Sequence, residues 1–502
     1  MEPEERRAAE AAAEATAEVV PGDLLDADEV RRRAAGGAAA LGVRNVVLLA
    51  AGLLANLVLA RLLVPSDFGY VALGQTLALV GSYLASGGIG IALIGRREAP
   101  SRRELEVLMG VQLAAATVLA AVFAAGAIPF GRGGAIVALI LVSLPFSTLR
   151  VPQAIVLERE LAFRTIATVD VIELLAQYVW AVGAVALGAG VWGLASAVVV
   201  RALAGSVAMI RLGPLGLLRP RLGWSEVRPL LGFGARFQAA AGVGVARDQV
   251  LNAGIAAIGG ISTLGVWALA FRFMQVPLLL FTTLYRVSYP AMAKLLAAGR
   301  DPRPAIERGA GVTAVATAVI VVGIAAGAPA LVPTLLGDRW DDVPAILGLG
   351  GIALMLSCPV AAATVGWLYA ADDPGTVLRA FIAHSVIWIA VTLALLSSVG
   401  PAAIGIGWVA GAFGDSGLLA RAAAARAGAR LGRVLAVPFA VTLAAGGAGW
   451  ALSTTSDTVA AGVAGLLIGE VVLLAGLFVL ANPHLREAVA LARQGLGEAR
   501  HP

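Results

Sequence analysis

Residues 59–73 read Leu-Ala-Arg-Leu-Leu-Val-Pro-Ser-Asp-Phe-Gly-Tyr-Val-Ala-Leu and join two long apolar runs. Pro65 ends the first run, because it lacks an N–H and has a fixed φ. Ser66 and Asp67 are good starters for the second, since their side chains can cap free backbone N–H groups. The stretch therefore predicts a tight hairpin between two helices. A second stretch, 255–269, lies over it with Ala256 on Ala60, Ser262 on Ser66, Gly265 on Gly69 and Ala268-Leu269 on Ala72-Leu73. It falls where a second half would begin, and weak internal repeats are a feature of transporters. The chain reads as two related halves.

Composition sets the class. Of 502 residues, 59% are hydrophobic and 14% charged, with a mean hydropathy of +0.88. A soluble protein would carry about 25% charged residues. Apolar runs of about 20 residues recur throughout, each long enough to cross a hydrocarbon core of about 30 Å. Alternating polarity is absent, which excludes a barrel. The class is an all-α polytopic membrane protein surrounded by membrane lipids. Cys358 is the single cysteine, so an intrachain disulfide and a cysteine metal cluster are excluded. His384, His484 and His501 are scattered, and no metal site is expected. The pI of about 9.8 reflects arginines between helices, which speaks for membrane orientation and not for nucleic acid.

About fourteen spans are predicted, at 41–63, 67–94, 105–129, 134–156, 166–188, 191–212, 233–258, 264–289, 309–336, 343–371, 376–398, 402–424, 434–453 and 458–481. They divide into a helix bundle over 38–213, a linker over 214–232, a second bundle over 233–425 and an extra helix pair over 426–482. The acidic, Ala-rich stretch 1–37 reads as a cytoplasmic tail that is either disordered or a surface helix, and 483–502 as a second tail. It lacks the basic start and apolar core of a cleavable signal peptide. Arginines gather on alternate loops, from Arg31–Arg33 and Arg96, Arg97, Arg102 and Arg103 to Arg421, Arg426, Arg430 and Arg433. The opposite loops hold Arg61, Arg132 and Arg339. The bias puts both termini in the cytoplasm.

An ionisable group at mid-bilayer costs about 3 kcal/mol or more, so it faces a polar cavity or a partner. The seventh span carries Arg236, Gln238, Arg247, Asp248, Gln249 and Asn252, and the eighth carries Arg272 and Gln275 before Pro277. The first carries Arg44 and Asn56, the second Gln75. Arg247 and Arg272 are expected at similar depth. With Asn252, Gln275, Asn56 and Gln75 they form a candidate substrate-binding set, because guanidinium forks suit phosphate oxygens. Arg44, Arg236 and Arg286 are expected to snorkel to the cytoplasmic edge. Arg247 has an alternative role as the ion-pair partner of Asp248. Asp170 and Glu173 share a helical face and, with Asp248, are candidates for ion coupling; the alternative is pairing with Arg201. Asp415 and Glu470 are read as packing contacts or parts of an ion path, and His384 as a core or interfacial residue. Gly414-Asp415-Ser416-Gly417 has a hydrolase-like look that an apolar span does not support. Gly405, Gly407, Gly411 and Gly414 read as a close-packing face.

Four segments carry a family resemblance. They are "ARLLVPSDFGYVALGQ" at 60–75, "VPQAIVLERELAFRTIATVDVIELL" at 151–175, "LGVWALAFRFMQVP" at 264–277 with "YPAMAKL" beyond it, and "LLGDRWDDVPAILGLGGIALML" from Leu335. Together they resemble the polysaccharide-transporter, lipopolysaccharide-biosynthesis branch of the multidrug/oligosaccharidyl-lipid/polysaccharide exporter superfamily. The resemblance implies two pseudo-symmetric six-helix bundles around a central cavity, plus two C-terminal helices. It implies a flippase that carries polyprenyl-diphosphate-linked oligosaccharide across the cytoplasmic membrane by alternating access, for surface or exopolysaccharide synthesis. Polysaccharide polymerases and glycosyltransferases of the same pathway are the implied partners. The chain has no nucleotide-binding loop, no cofactor is expected and no enzyme activity is expected. The alternatives are a peptidoglycan lipid-precursor flippase, a cation-coupled drug antiporter and, as a weaker one, a membrane polymerase or glycosyltransferase.

Overall fold

The computed structural model describes residues 27–96 and 98–480, and among these residues all regular structure is helical. This is the expected outcome for a chain that must satisfy its backbone within each segment in lipid. Among the described residues, eleven stretches are long and apolar enough to cross a membrane. One of them, Arg102–Thr148, spans 47 residues and holds two of the predicted crossings; Gly244–Leu278 holds parts of two more. Val47–Leu62 is a shorter apolar stretch at the end of the first helix.

By packing, the chain divides into two compact units. The first runs to Leu63 and from Tyr70 to Asn252, and the second takes Val64–Gly69 and everything from Ala253. The helices of the first unit are α1 (Ala27–Leu62), α2 (Pro65–Ser86), α3 (Ile89–Gly95), α4 (Arg102–Ala127), α5 (Gly131–Leu141), α6 (Ser143–Thr148), α7 (Val151–Arg159), α8 (Phe163–Ala184), α9 (Val191–Leu212) and α10 (Trp224–Gly254). The helix α1 begins inside the stretch read as a tail, and residues 1–26 and 481–502 lie outside the described residues.

Local chemistry sets the boundaries. Pro65 opens α2, and Asp67 Oδ2 accepts the Val64 N–H at 3.2 Å. Ser101 and Glu104 form a reciprocal capping box at the start of α4, with the Glu104 N–H donating to Ser101 Oγ at 3.2 Å and the Ser101 N–H to Glu104 Oε2 at 2.8 Å. The predicted span 134–156 is three short helices, α5 to α7, with Pro145 in α6 and Pro152 at the start of α7. The span 67–94 breaks at Gly87 and Gly88, both at positive φ, between α2 and α3. A Cβ on Gly88 would overlap the backbone of Gly234. That close approach packs α10 against the turn between α2 and α3.

The second unit comprises α11 (Gly260–Ala297), α12 (Arg303–Ala325), α13 (Ala328–Leu336), α14 (Val343–Ala370), α15 (Pro374–Val399), α16 (Ala402–Ala427), α17 (Leu431–Ser453) and α18 (Val459–Leu480). The predicted span 309–336 is broken at Ala326-Gly327 into α12 and α13. Asp373 caps α15, taking the Thr376 N–H at 3.2 Å and the Thr376 hydroxyl at 2.6 Å. The predicted glycine face is present in α16. Gly407 lies against Thr392, Gly411 against His384 and Trp388, and Gly414 against Ile387, all on α15; Gly405 faces Leu349 on α14. The pair α17–α18 packs on α12 through Val322, Ala326, Val441, Ala445, Leu473 and Leu477.

Candidate functional site

In the first unit the charges are paired. Glu173 on α8 is 2% exposed and takes two guanidiniums: Arg201 of α9 at 2.8 Å and Arg150, which lies between α6 and α7. Arg201 is the partner expected from sequence, and Arg150 is an addition. Asp170, one turn earlier, holds Arg44 of α1 at 3.0 Å. Arg44 is therefore engaged in an ion pair and not directed to the membrane edge alone. These links tie α1, the α6–α7 junction, α8 and α9 together. Charge compensation of this kind is what buried carboxylates need, whether or not an ion is moved.

Arg247 on α10 donates through Nε to Asp248 Oδ1 at 2.7 Å, and its Nη2 lies 2.6 Å from the same oxygen. The alternative partner named from sequence is thus in place. Asn252 Nδ2 donates to Thr76 Oγ1 of α2 at 3.2 Å. Gln75, the neighbour of Thr76, is half-buried. Asn56 is 4% exposed and gives its amide N–H to the Gly52 carbonyl of its own helix at 2.6 Å. One of its two amide N–H donors is used in this local bond. Arg272 is half-buried and Gln275 exposed, both on α11 in the second unit. The side chains of Arg236 and Arg286 lie outside the described residues.

A polar lattice that sequence reading missed joins α2, α4 and α10. The Tyr83 hydroxyl donates to the Gln238 carbonyl, and Gln238 Nε2 donates to the Tyr83 carbonyl and to Ser86 Oγ. Gln112 Nε2 donates to the Ser86 carbonyl at 3.1 Å. The signal available was Gln112, a lone amide in an apolar run.

The arginine-rich loops are also structured. Arg159 Nη1 donates to the carbonyls of Leu93 and Arg96 at 2.7 Å each, closing the C-terminal end of α3. Arg96 grips Glu104 with both nitrogens at 2.8 and 2.9 Å, and the bond to Glu104 holds the guanidinium above its ordinary pKa. Glu106 receives Arg221 at 2.9 Å and Arg102 at 3.6 Å.

In the second unit, an apolar cavity of about 400 Å³ lies between α12, α14 and α17, with Val321, Met355, Phe439, Thr442, Leu443 and Trp450 in its wall. Trp267, Phe271, Trp388 and Trp408 form a ring cluster; Trp388 and Trp408 stack at 4.9 Å. Asp415 stands beside His384 on the facing helix. Ser416 donates its hydroxyl to the Leu356 carbonyl at 3.0 Å, a packing role for that loop-like motif. Glu470 is half-buried and lies toward Gly323 of α12. Among the described residues no group of three or more metal-ligating side chains gathers.

A family model described as polysaccharide biosynthesis protein matches residues 58–345, more than half of the chain. The lipopolysaccharide biosynthesis protein WzxC of Escherichia coli (strain K12) is 24% identical over 332 residues, which cover 64% of this chain and 66% of that protein. The match therefore spans just under two thirds of the relative's length. Among solved structures, the lipid II flippase MurJ in an inward closed conformation aligns with a TM-score of 0.64 at 12% identity, over 88% of this chain and 99% of that one. At that identity the likeness is one of fold.

Proposed function

We propose a transport function on this premise: the chain belongs to the polysaccharide biosynthesis protein family. It is a flippase that moves polyprenyl-diphosphate-linked oligosaccharide across the cytoplasmic membrane by alternating access, supplying surface or exopolysaccharide synthesis. The observation that carries this reading is the combination of the family match over 58–345 with a lipid-flippase fold along nearly the whole chain. Arg247 and Asn252 of the first unit are the candidates to contact the diphosphate, and Arg272 and Gln275 are the candidates within the second unit, each considered by itself. Gln75 stands beside the Thr76–Asn252 bond, while Asn56 has its carbonyl oxygen and second amide N–H left after its bond to Gly52. The apolar cavity along α17 suits the prenyl chain, since its wall is almost wholly hydrocarbon and aromatic. Both termini face the cytoplasm in this reading, and polymerases and glycosyltransferases of the pathway supply and consume the substrate. The fold likeness to a lipid II flippase keeps a peptidoglycan precursor as the second substrate reading. The polymerase or glycosyltransferase reading gains nothing from these relatives.

The test is translocation of a labelled polyprenyl-diphosphate oligosaccharide in proteoliposomes, with lipid II and small organic cations offered separately. Wild type should move the oligosaccharide lipid, and an Arg247→Ala, Arg272→Ala double variant should lose most of that movement. Preference for lipid II would shift the substrate, and export of cations alone would overturn the reading. An unaffected double variant would keep the function and remove the arginines from it.

A further inference from the structure

The core of the second unit holds a histidine and a carboxylate on facing helices. His384 Nδ1 of α15 lies 3.3 Å from Asp415 Oδ2 of α16, with the side chains 7% and 16% exposed. The Nδ1 atom is fully covered, and among the described residues it makes no hydrogen bond of good geometry. Glycine creates the approach: a Cβ on Gly411 would stand 2.8 Å from the His384 carbonyl and 3.4 Å from Nδ1. Trp388 presents its ring to the imidazole at 5.6 Å and 79°, and Trp267 of α11 and Trp408 of α16 pack against Trp388. Trp388 thus covers one side of the imidazole, while Asp415 keeps 16% of its side chain exposed.

The charges around it are few. Asp415 Oδ1 takes the Ser416 N–H at 2.7 Å, which leaves Oδ2 toward the imidazole. The Cys358 thiol of α14 is the titratable group facing the carboxylate from that helix. The helix α11 contributes Trp267 at the ring cluster and carries Arg272 further along. Asp170 and Glu173 of the first unit each hold guanidiniums already, whereas Asp415 is faced by an imidazole, whose charge depends on a proton. With a neutral ring the pair carries one net negative charge in a largely buried setting. With one proton added it carries none. A buried uncompensated charge is costly, and histidine is the side chain that titrates between about pH 5 and 8.

We propose that His384 and Asp415 form one proton-binding site between α15 and α16. The proton comes from water onto the imidazole, which then donates to Asp415 Oδ2; on release the proton returns to water and the carboxylate is left facing a neutral ring. The use of this site, coupling transport to a proton gradient, rests on the flippase reading; its existence does not.

The test is tryptophan fluorescence of the purified full chain between pH 8 and pH 5, because an imidazolium quenches an adjacent indole. Wild type should lose intensity in a one-proton transition. His384→Gln, similar in size, should remove that transition. Asp415→Asn, which removes the carboxylate that the imidazole faces, should change that transition relative to wild type while His384 is still present. Trp388→Phe should remove most of the signal and keep the pH dependence of stability, which guards against a misfolded His384→Gln sample. A transition of equal size and midpoint in wild type and His384→Gln overturns the proposal. In proteoliposomes an imposed pH gradient should accelerate lipid movement by wild type several-fold and leave His384→Gln unchanged. If wild type moves no lipid but shows the fluorescence transition, the flippase reading fails and the proton site stands.

Discussion

Gly69 and Gly265 meet backbone to backbone. A Cβ built on Gly265 would fall 2.9 Å from the Gly69 amide nitrogen and closer still to the Pro65 carbonyl, while one on Gly69 would overlap the Ile261 carbonyl. These are the positions that correspond in the two echoing stretches, so the two hairpins pack on each other at their shared glycine. Phe68 beside them meets Trp340 edge to face at 5.2 Å and 88°. Gly265→Ala is expected to cost about 1–3 kcal/mol, the range for overpacking a tight core. Gly446→Ala, where a Cβ meets nothing within 4 Å, is the control. Thermal unfolding in detergent should show a clear loss of Tm for the first and none for the second; equal Tm values would mean that the hairpins do not pack so closely.

Glu173 is the second place where one side chain decides stability. It is buried, and Arg150 and Arg201 converge on it. Glu173→Ala should cost about 3 kcal/mol or more, because it leaves two guanidiniums facing each other. Glu173→Gln should cost less, because its carbonyl oxygen still accepts from one of the two guanidiniums. If Glu173 serves structure alone, protein rescued by low temperature should transport at the wild-type rate. A folded Glu173→Gln that binds substrate but fails to respond to an ion gradient would restore the ion-coupling role.

The helices were legible because apolar run length and proline are local properties: Pro65 divides two apolar runs in sequence and opens a helix in the structure, whereas the caps Ser101 and Asp373 were not read. The Glu173–Arg201 pair was legible because an acid in an apolar span demands a cation. The breaks at Gly87-Gly88 and Ala326-Gly327 were not, since the apolar pattern runs through them. Nor was the bond that turns Asn56 back on Gly52 and uses one of its two amide N–H groups. Arg44 looked like an edge residue until the register of α1 against α8 placed Asp170 beside it. The pairing of His384 with Asp415 depends on the register of α15 against α16, which Gly411 permits but no spacing announces.

Asp373 gives the second unit an acid-sensitive corner outside the membrane spans. The Thr376 hydroxyl, the Thr376 N–H and Arg426 together hold its carboxyl below the usual range. A group with a lowered folded pKa adds stability that is complete above its unfolded value, about 3.9 for Asp, and is lost as pH falls through the folded value. Wild type should therefore hold a constant margin over Asp373→Asn from pH 8 to about 5. The margin should shrink as the pH is taken below about 4. Unfolding midpoints measured at pH 7, 5 and 3 check this, and a margin that widens on acidification would contradict the assignment.

The cavity between α12, α14 and α17 offers a test of the lipid chain that leaves the charged groups alone. Gly447 lies in its wall, and a Cβ there meets nothing within 4 Å. Gly447→Trp would place an indole in a space of about 400 Å³ without forcing backbone to move. The variant should fold with a Tm at or above wild type, since it fills a void among apolar groups. If the prenyl chain lies in this cavity, lipid movement should fall at least several-fold, and a lipid with a much shorter prenyl chain should be affected less. Equal losses for long and short chains would point to a distorted bundle. Unchanged movement of both would place the prenyl chain elsewhere, in contact with the bilayer and not with α17.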